Sequence, residues 1–330
     1  MAVTANTNET YDVTTIRESL QEALTSITPL ETVFMSSIGS RNVDNTYFEW
    51  GEVDLAAAAD NRQIEGDVGL SNSAPTNAVR KANYTQISAK VVEVYSTNKA
   101  VNGVASAQTV AKQVAYKLQE LKRDMEKMLL ANVAAAAGAS GTARQTAGLP
   151  AFLTSNTSRG TSGADGTTSG TGEAGHPNAA ATDGTLRALT ETLLKDVIKQ
   201  CWDSGADPSV VLCGSTIKQK ISTFTGNATR YKEAEDSKLN AAIDVYISDF
   251  GELQIVPSRH HRVRTVSNVN YTPDVFVLDP NYAEVAYLQT AKQEPLAKTG
   301  LSERRLISCE YGLQVTSQKA HGIVADINNS

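Results

Sequence analysis

The chain has 330 residues, 41% of them hydrophobic, with 30 basic and 36 acidic side chains and a net charge of −6. The length suits about two domains, and the acidic balance argues against a protein that grips nucleic acid by bulk charge. Three cysteines at unrelated spacings (Cys201, Cys213, Cys309) supply neither a disulfide framework nor a zinc ribbon, and no stretch approaches the ~20 apolar residues of a membrane helix.

The opening MAVTANTNET lacks the basic and apolar regions of a signal peptide. Val13, Ile16, Leu20, Leu24 and Ile27 recur at threes and fours, which predicts an amphipathic helix from about Asp12, halted by Pro29. A lone helix of this kind needs the body or a neighbour to bury its stripe. Thr46–Leu55 and Asn83–Ser96 are rich in aromatic and β-branched residues and read as the arms of a long hairpin. Between them lie about 27 residues with little periodicity, a length that usually marks a functional or interaction element. Phe48 and Trp50 alternate with Glu49, Glu52 and Asp54, whose carboxylates fit a solvated face. The two aromatics suit either a small local core or contact with another subunit.

Val110, Val114, Leu118, Leu121, Met125 and Met128 form the strongest helical stripe, running from about Ser106 to Val133 and roughly 40 Å long. Lys112, Lys117, Glu120, Lys122, Asp124, Glu126 and Lys127 occupy the solvated remainder. Residues 154–182 contain no Val, Ile, Leu, Met, Phe, Tyr or Trp, which predicts a mobile surface loop that is dispensable for folding. Compact α/β patterning follows. Asp183 is a candidate N-cap for a helix bearing Leu186, Leu189, Leu193, Val197 and Cys201. Ser209–Cys213 reads as a continuously apolar strand, and Gly214-Ser215 caps a helix with Ile217 and Ile221. Val245–Ser248 and Leu253–Val256 form a hairpin about Asp249-Phe250-Gly251. Val275–Leu278 and Ala283–Leu288 flank the turn Asp279-Pro280-Asn281, and Arg305–Ala325 reads as one long strand with a bulge at Gly312.

Little in this pattern reads as catalysis. Gly170-Thr171-Gly172-Glu173-Ala174-Gly175 matches G-x-G-x-x-G but lacks the preceding strand and following helix that phosphate binding requires. His260 and His261 adjoin each other at a strand end, pointing to opposite faces, so they read as polar terminal positions and not as a metal pair. Cys201 sits on the apolar stripe of its helix and reads as packing. The expectation is a non-enzyme with no catalytic, cofactor-binding or metal-ligating residue.

The order of elements, together with several segments, resembles the major capsid proteins of tailed phages with the Hong Kong 97-like fold. Tyr84–Val101 (YTQISAKVVEVYSTNKAV) looks like the return of an extended E-loop into a spine helix, and Lys122–Asn132 (KRDMEKMLLAN) like the end of that helix. Pro208–Ile221 (PSVVLCGSTIKQKI) resembles the core of an axial domain. Ile255–His261, Val275–Asp279, Leu296–Gly300 and Glu310–Ile323 resemble the run back into the peripheral domain. The match covers nearly the whole chain and looks closest to the branch found in short-tailed phages with elongated heads.

The resemblance implies an α+β capsid fold divided into an N-terminal arm (1–40), an E-loop (41–88), a peripheral domain with the spine helix (89–145), an axial domain with a flexible insertion at 154–182 (146–284), and a return to the peripheral domain (285–330). It implies a structural role: self-assembly into hexamers and pentamers of an icosahedral or elongated head enclosing double-stranded DNA, contacted non-specifically. Implied partners are a portal, a separate scaffolding protein and a decoration protein, with no membrane; the virion forms in the host bacterial cytoplasm. Tyr47, Phe48, Trp50 and Arg62 are the candidate subunit-interface residues. In cross-linking members of the fold an E-loop lysine meets a neighbour's asparagine, but Asn45–Arg80 contains no lysine and Lys81 stands at the loop's base. An encapsulin-type compartment is the alternative with the same fold, and an α/β enzyme the remote one.

Overall fold

A computed structural model describes residues 28–62, 65–66, 75–101, 109–171, 173–224, 245–298 and 300–328. The helix expected from Asp12 lies outside them. The described elements begin with α1 (Val33–Ser37), the edge strand β1 (Gly39–Asn42), and the hairpin β2 (Tyr47–Glu52) and β3 (Val79–Tyr84). It continues through β4 (Gln86–Tyr95), α2 (Ser96–Ala100), α3 (Val110–Leu129) and α4 (Leu149–Phe152). The short strands β5 (Thr157–Ser158), β6 (Thr167–Thr168) and β7 (Pro177–Ala179) precede α5 (Glu191–Asp203), β8 (Val210–Cys213) and α6 (Ser215–Ile221). Then come β9 (Val245–Ser248), β10 (Gly251–Pro257), β11 (Arg264–Val266), β12 (Val269–Tyr271) and β13 (Val275–Leu278). The long strands β14 (Ala283–Pro295) and β15 (Ser302–Val315) and the short β16 (Gly322–Val324) close the chain.

Two sheets organise these elements. The first runs β1-β14-β15-β4, and the second β5-β16-β13-β8-β10-β9. One face of the first sheet, marked by Val92 and Val94, is covered by α3, whose Leu121, Met125 and Leu129 are buried. At 20 residues, α3 is about 30 Å long and ends at Leu129, four residues before the expected Val133, while 106–108 of the expected helix lie outside the described residues. The central strands of the second sheet, β8 and β13, are buried on both faces. Phe276 and Leu278 of β13 face the core shared with α3, while Val275 and Val277 face a second core with α5 and α6. That double cover is why β8 and β13 read as unbroken apolar runs.

Several sequence expectations change in three dimensions. The hairpin's second arm is β3, paired from Tyr47↔Tyr84 to Glu52↔Val79, whereas most of Asn83–Ser96 becomes β4 in another sheet, beside β15. Val275–Leu278 and Ala283–Leu288 likewise part into different sheets. The final strand breaks at a 3-10 turn, Gln318–Ala320, before β16. Its Gly312 pairs regularly with Ala286, and the bulges lie on β14. Gly312 serves packing: a Cβ there would stand 2.8 Å from the Phe48 ring. Asp183 does not cap α5. Thr190 does, accepting from Leu193 N–H, while Asp183 pairs with Arg262 at 2.8 Å.

The largest correction concerns 154–182, which is built into the body. Asn156 donates through Nδ2 to the carbonyls of Lys319 and His321, and β5 pairs with β16. Asp326 accepts from the N–H groups of Gly160 and Gly184 and pairs with Arg264 at 2.7 Å. A Cβ on Gly160 would lie 2.1 Å from the Thr185 carbonyl oxygen. The absence of apolar side chains therefore reflects close backbone packing, with satisfied polar groups replacing hydrophobic burial. Glu126 is a second correction. It faces inward, is fully buried, and accepts from Phe34 N–H at 2.7 Å and Met35 N–H at 2.9 Å, docking α1 on the spine helix. Burial raises its pKa.

His261 and His321 are also interior. His261 stacks on Phe276 with ring centroids 5.2 Å apart, and His321 is 0% exposed. Burial, reinforced at His261 by the Arg262 charge, pushes both down to about 4. Unfolded, they titrate near their ordinary value of about 6.5. Between pH 6.5 and 4 the unfolded chain therefore binds protons that the folded chain refuses, so stability falls as pH falls. Urea unfolding near pH 5 should show an uptake of about two protons by these residues, and His261→Phe should remove about one.

Candidate assembly interface

The hairpin is the element whose surroundings decide between subunit and neighbour. Alternation along β2 turns Phe48, Trp50 and Glu52 to one side and Tyr47, Glu49 and Gly51 to the other. On the inner side Phe48 and Trp50 stack with centroids 5.8 Å apart, and Trp50 meets Phe152 at 6.2 Å. Trp50 Nε1–H donates to the Val315 carbonyl at 3.0 Å. Asn83 of β3 is fully buried, donating to the Leu313 carbonyl at 2.7 Å and accepting from Ala147 N–H at 3.0 Å. Phe48 and Trp50 are only 6% and 8% exposed. They are core residues of their own subunit, which corrects their selection as interface candidates, since buried rings offer a neighbour no contact area.

On the outer side Tyr47 packs against Tyr84 at 4.8 Å, and both meet His176. Tyr47 stays half-buried, and burial raises its pKa, with Glu49 adding to the shift. Glu52 is not a solvated strand carboxylate: it pairs with buried Lys81, while Asp54 pairs with Lys319. Beyond Glu52 the chain emerges. Residues 53–62 are exposed throughout, Arg62 joins Asp60 at 2.6 Å on open surface, and Leu55 is 83% exposed. Val53 and Leu55 were not singled out from sequence; their signal is two large apolar residues ahead of the alanine run 56–59.

A second apolar surface lies on the first sheet, opposite α3. Ile87, Val91 and Tyr95 alternate along β4 and are all exposed, as is Leu301 beside the β14–β15 turn. Three large exposed apolar side chains on one strand face make it a candidate interaction surface, with Glu93 and Ala89 interleaved between them. The described residues contain no cluster of metal-ligating side chains. Cys201 and Cys213 are pushed up to about 12 and Cys309 to about 11 by burial, so none is a ready thiolate. The glycine-rich match at 170–175 occupies the turn between β6 and β7, with Gly175 at φ +81°.

A family model described as SU10 major capsid protein matches residues 3–328. The chain belongs to that family. A curated major capsid protein of Escherichia phage Phieco32 is 30% identical over 126 residues, 38% of this chain and 35% of that protein. The alignment thus spans about a third of the curated relative. Among solved structures, one from Mycobacterium phage Bobi covers 97% of this chain and 98% of its own, with TM-score 0.62 and 11% identity. The capsid of a native GTA particle covers 96% and 97%, with TM-score 0.61 and 12% identity. The SrpI encapsulin of Synechococcus elongatus covers 96% and 94%, with TM-score 0.55 and 11% identity. At these identities the likeness is one of fold, and that fold is Hong Kong 97-like.

For a capsid-family subunit, the buried stem makes Trp50 a stability residue first. Trp50→Ala should cost about 3–5 kcal/mol by the usual cost of deleting a core tryptophan. Thermal unfolding of the unassembled protein should show the loss, and Trp50→Phe should recover most of it.

Proposed function

We propose that this protein is the shell-forming subunit of a tailed-phage head, and that each copy seats its hairpin tip on a neighbouring copy. The observation that carries the reading is the division of the hairpin. Its stem is fastened into the subunit's own core, while the start of the loop beyond it holds Val53 and Leu55 in solvent. Leaving two large apolar side chains exposed on a projecting loop forfeits roughly 1.5–3 kcal/mol each that a contact can recover. The open face of β4, with Ile87, Val91 and Tyr95, is a surface of matching character on the next copy.

In this reading the first sheet with α3 forms the peripheral domain (89–145 and 285–330) and the second sheet the axial domain (146–284), of which 154–182 is an integral part. Residues 1–40 form the arm, of which the described part docks on α3 through Glu126. The interior holds double-stranded DNA loosely. Two lysines of α3 and its neighbour β4 are charge-compensated, Lys117 by Glu120 at 2.7 Å and Lys90 by Asp124 at 2.6 Å, and the net charge is −6. Weak attraction suits DNA that must later leave. A portal, a separate scaffolding protein and a decoration protein complete the assembly, which takes place in the bacterial cytoplasm and ends in the virion. An encapsulin compartment shares only the fold, whereas the family and the curated relative are those of phage capsids.

Two experiments test this reading. Leu55→Asp, or replacement of residues 56–77 by a short Gly/Ser turn, should leave circular dichroism unchanged and abolish sedimenting shells; normal particles from either variant would reject the hairpin's role. Mature shells, boiled and reduced, should run as a single band. The one lysine within residues 41–88, Lys81, is 4% exposed and held by Glu52 and Glu173. A covalent ladder would contradict that placement.

A further inference from the structure

The hairpin leaves the body through a ring of polar contacts that its own strands do not account for. Lys81 of β3 is 4% exposed and paired with Glu52 of β2, which already neutralises it. A second carboxylate, Glu173 from the turn between β6 and β7, also grips its ammonium at 3.0 Å. The other oxygen of Glu173 accepts from Gln318 Nε2 at 2.7 Å. Gln318 is itself fixed: its Oε1 accepts from the N–H groups of Thr154 and Ser155 at 3.0 and 3.2 Å and from Ser155 Oγ at 3.1 Å. The same turn clasps the β3 backbone. Ala82 N–H donates to the Gly175 carbonyl at 3.0 Å, and Gly175 N–H donates to the Arg80 carbonyl at 2.8 Å. Next to it, His176 packs edge-on against Tyr84 at 5.1 Å. The space enclosed by Lys81, Phe152, Glu173 and Gln318 is only about 10 Å³.

We propose that Glu173 is a positioning residue for assembly: residues 173–176 are a clamp that sets the direction in which the hairpin projects from the subunit. The proposal rests on the shell-subunit reading. Its physical basis is geometric. A buried ammonium is costly unless its N–H donors are satisfied, so with Glu52 supplying the neutralising charge, Glu173 adds a second directional acceptor that fixes where the ammonium sits. With two carboxylates on one ammonium and the farther one locked through Gln318, Lys81 has a single satisfactory position. The stem is six residues, about 20 Å long, and any rotation at its root is multiplied at the tip. A tip that must meet the same patch on every neighbour requires that angle to be uniform.

The test uses the full chain carrying Glu173→Ala or Glu173→Gln, beside Leu194→Ala, a cavity variant in the distant second core that lowers stability without touching the clamp. Hydrogen exchange of the unassembled subunit should show β3 amides around residues 80–83 exchanging about tenfold faster in Glu173→Ala, with the β14–β15 ladder unchanged. Glu173→Gln, which retains hydrogen-bonding atoms, should fall between it and the parent. Shells of Glu173→Ala should vary in curvature, giving open sheets or tubes, while Leu194→Ala shells that form should be regular. Unchanged exchange at β3, an equal rise across the whole chain, or shells of normal shape from Glu173→Ala would overturn the proposal. If the parent protein itself forms no shells, the shell-subunit reading fails, and the exchange comparison still decides whether the clamp exists.

Discussion

Strand β15 is the member on which the other parts depend. It pairs with β14 on one side and β4 on the other, so its backbone is satisfied along nearly its whole length. The groups it presents at its C-terminal end receive the hairpin: Gly312 leaves room for Phe48, the Leu313 carbonyl accepts from Asn83, and the Val315 carbonyl accepts from Trp50. Farther along, Glu310 accepts from Thr85 and pairs with Arg144. A projecting element can be rigid only if its root is buried more completely than its tip. Here one strand provides that root.

Much of the remaining order comes from polar groups satisfied far from their place in the chain. Glu126 caps the backbone of α1 from the spine helix. Asp326 collects two glycine N–H groups and the Arg264 guanidinium. Asn156 fastens the start of the 154–182 segment to the residues before β16. Each of these is expensive to bury alone and specific once paired. They explain how a stretch with no large apolar side chain holds a defined path.

In the proposed assembly, the division between fastened stem and open loop links fold to function. There, a subunit that buried Leu55 in itself would gain stability and lose the proposed means of recognising its neighbour. The exposed β4 face makes the complementary compromise, with its other face committed to α3. A shell built from one chain needs both surfaces on the same molecule, because such a contact is heterologous and repeats from copy to copy.

The elements that the sequence determined by itself are those whose signal is local. The stripe of α3, the apolar run of β8, the α6 cap and the β9–β10 hairpin all lie close to where periodicity and turn residues put them. The order of all the predicted elements, together with segments such as 84–101 and 208–221, suggests the capsid architecture. Tertiary structure alone decided that Phe48 and Trp50 belong to the subunit, leaving Val53, Leu55 and Arg62 to face outward, because an alternating strand reads the same whether its apolar face meets its own body or another copy. It alone decided that Glu126 faces inward and that 154–182 is ordered. Their partners lie 91 to 166 residues away, as in Glu126 with Met35 and Gly160 with Asp326, and no local pattern encodes a hydrogen bond made at that separation.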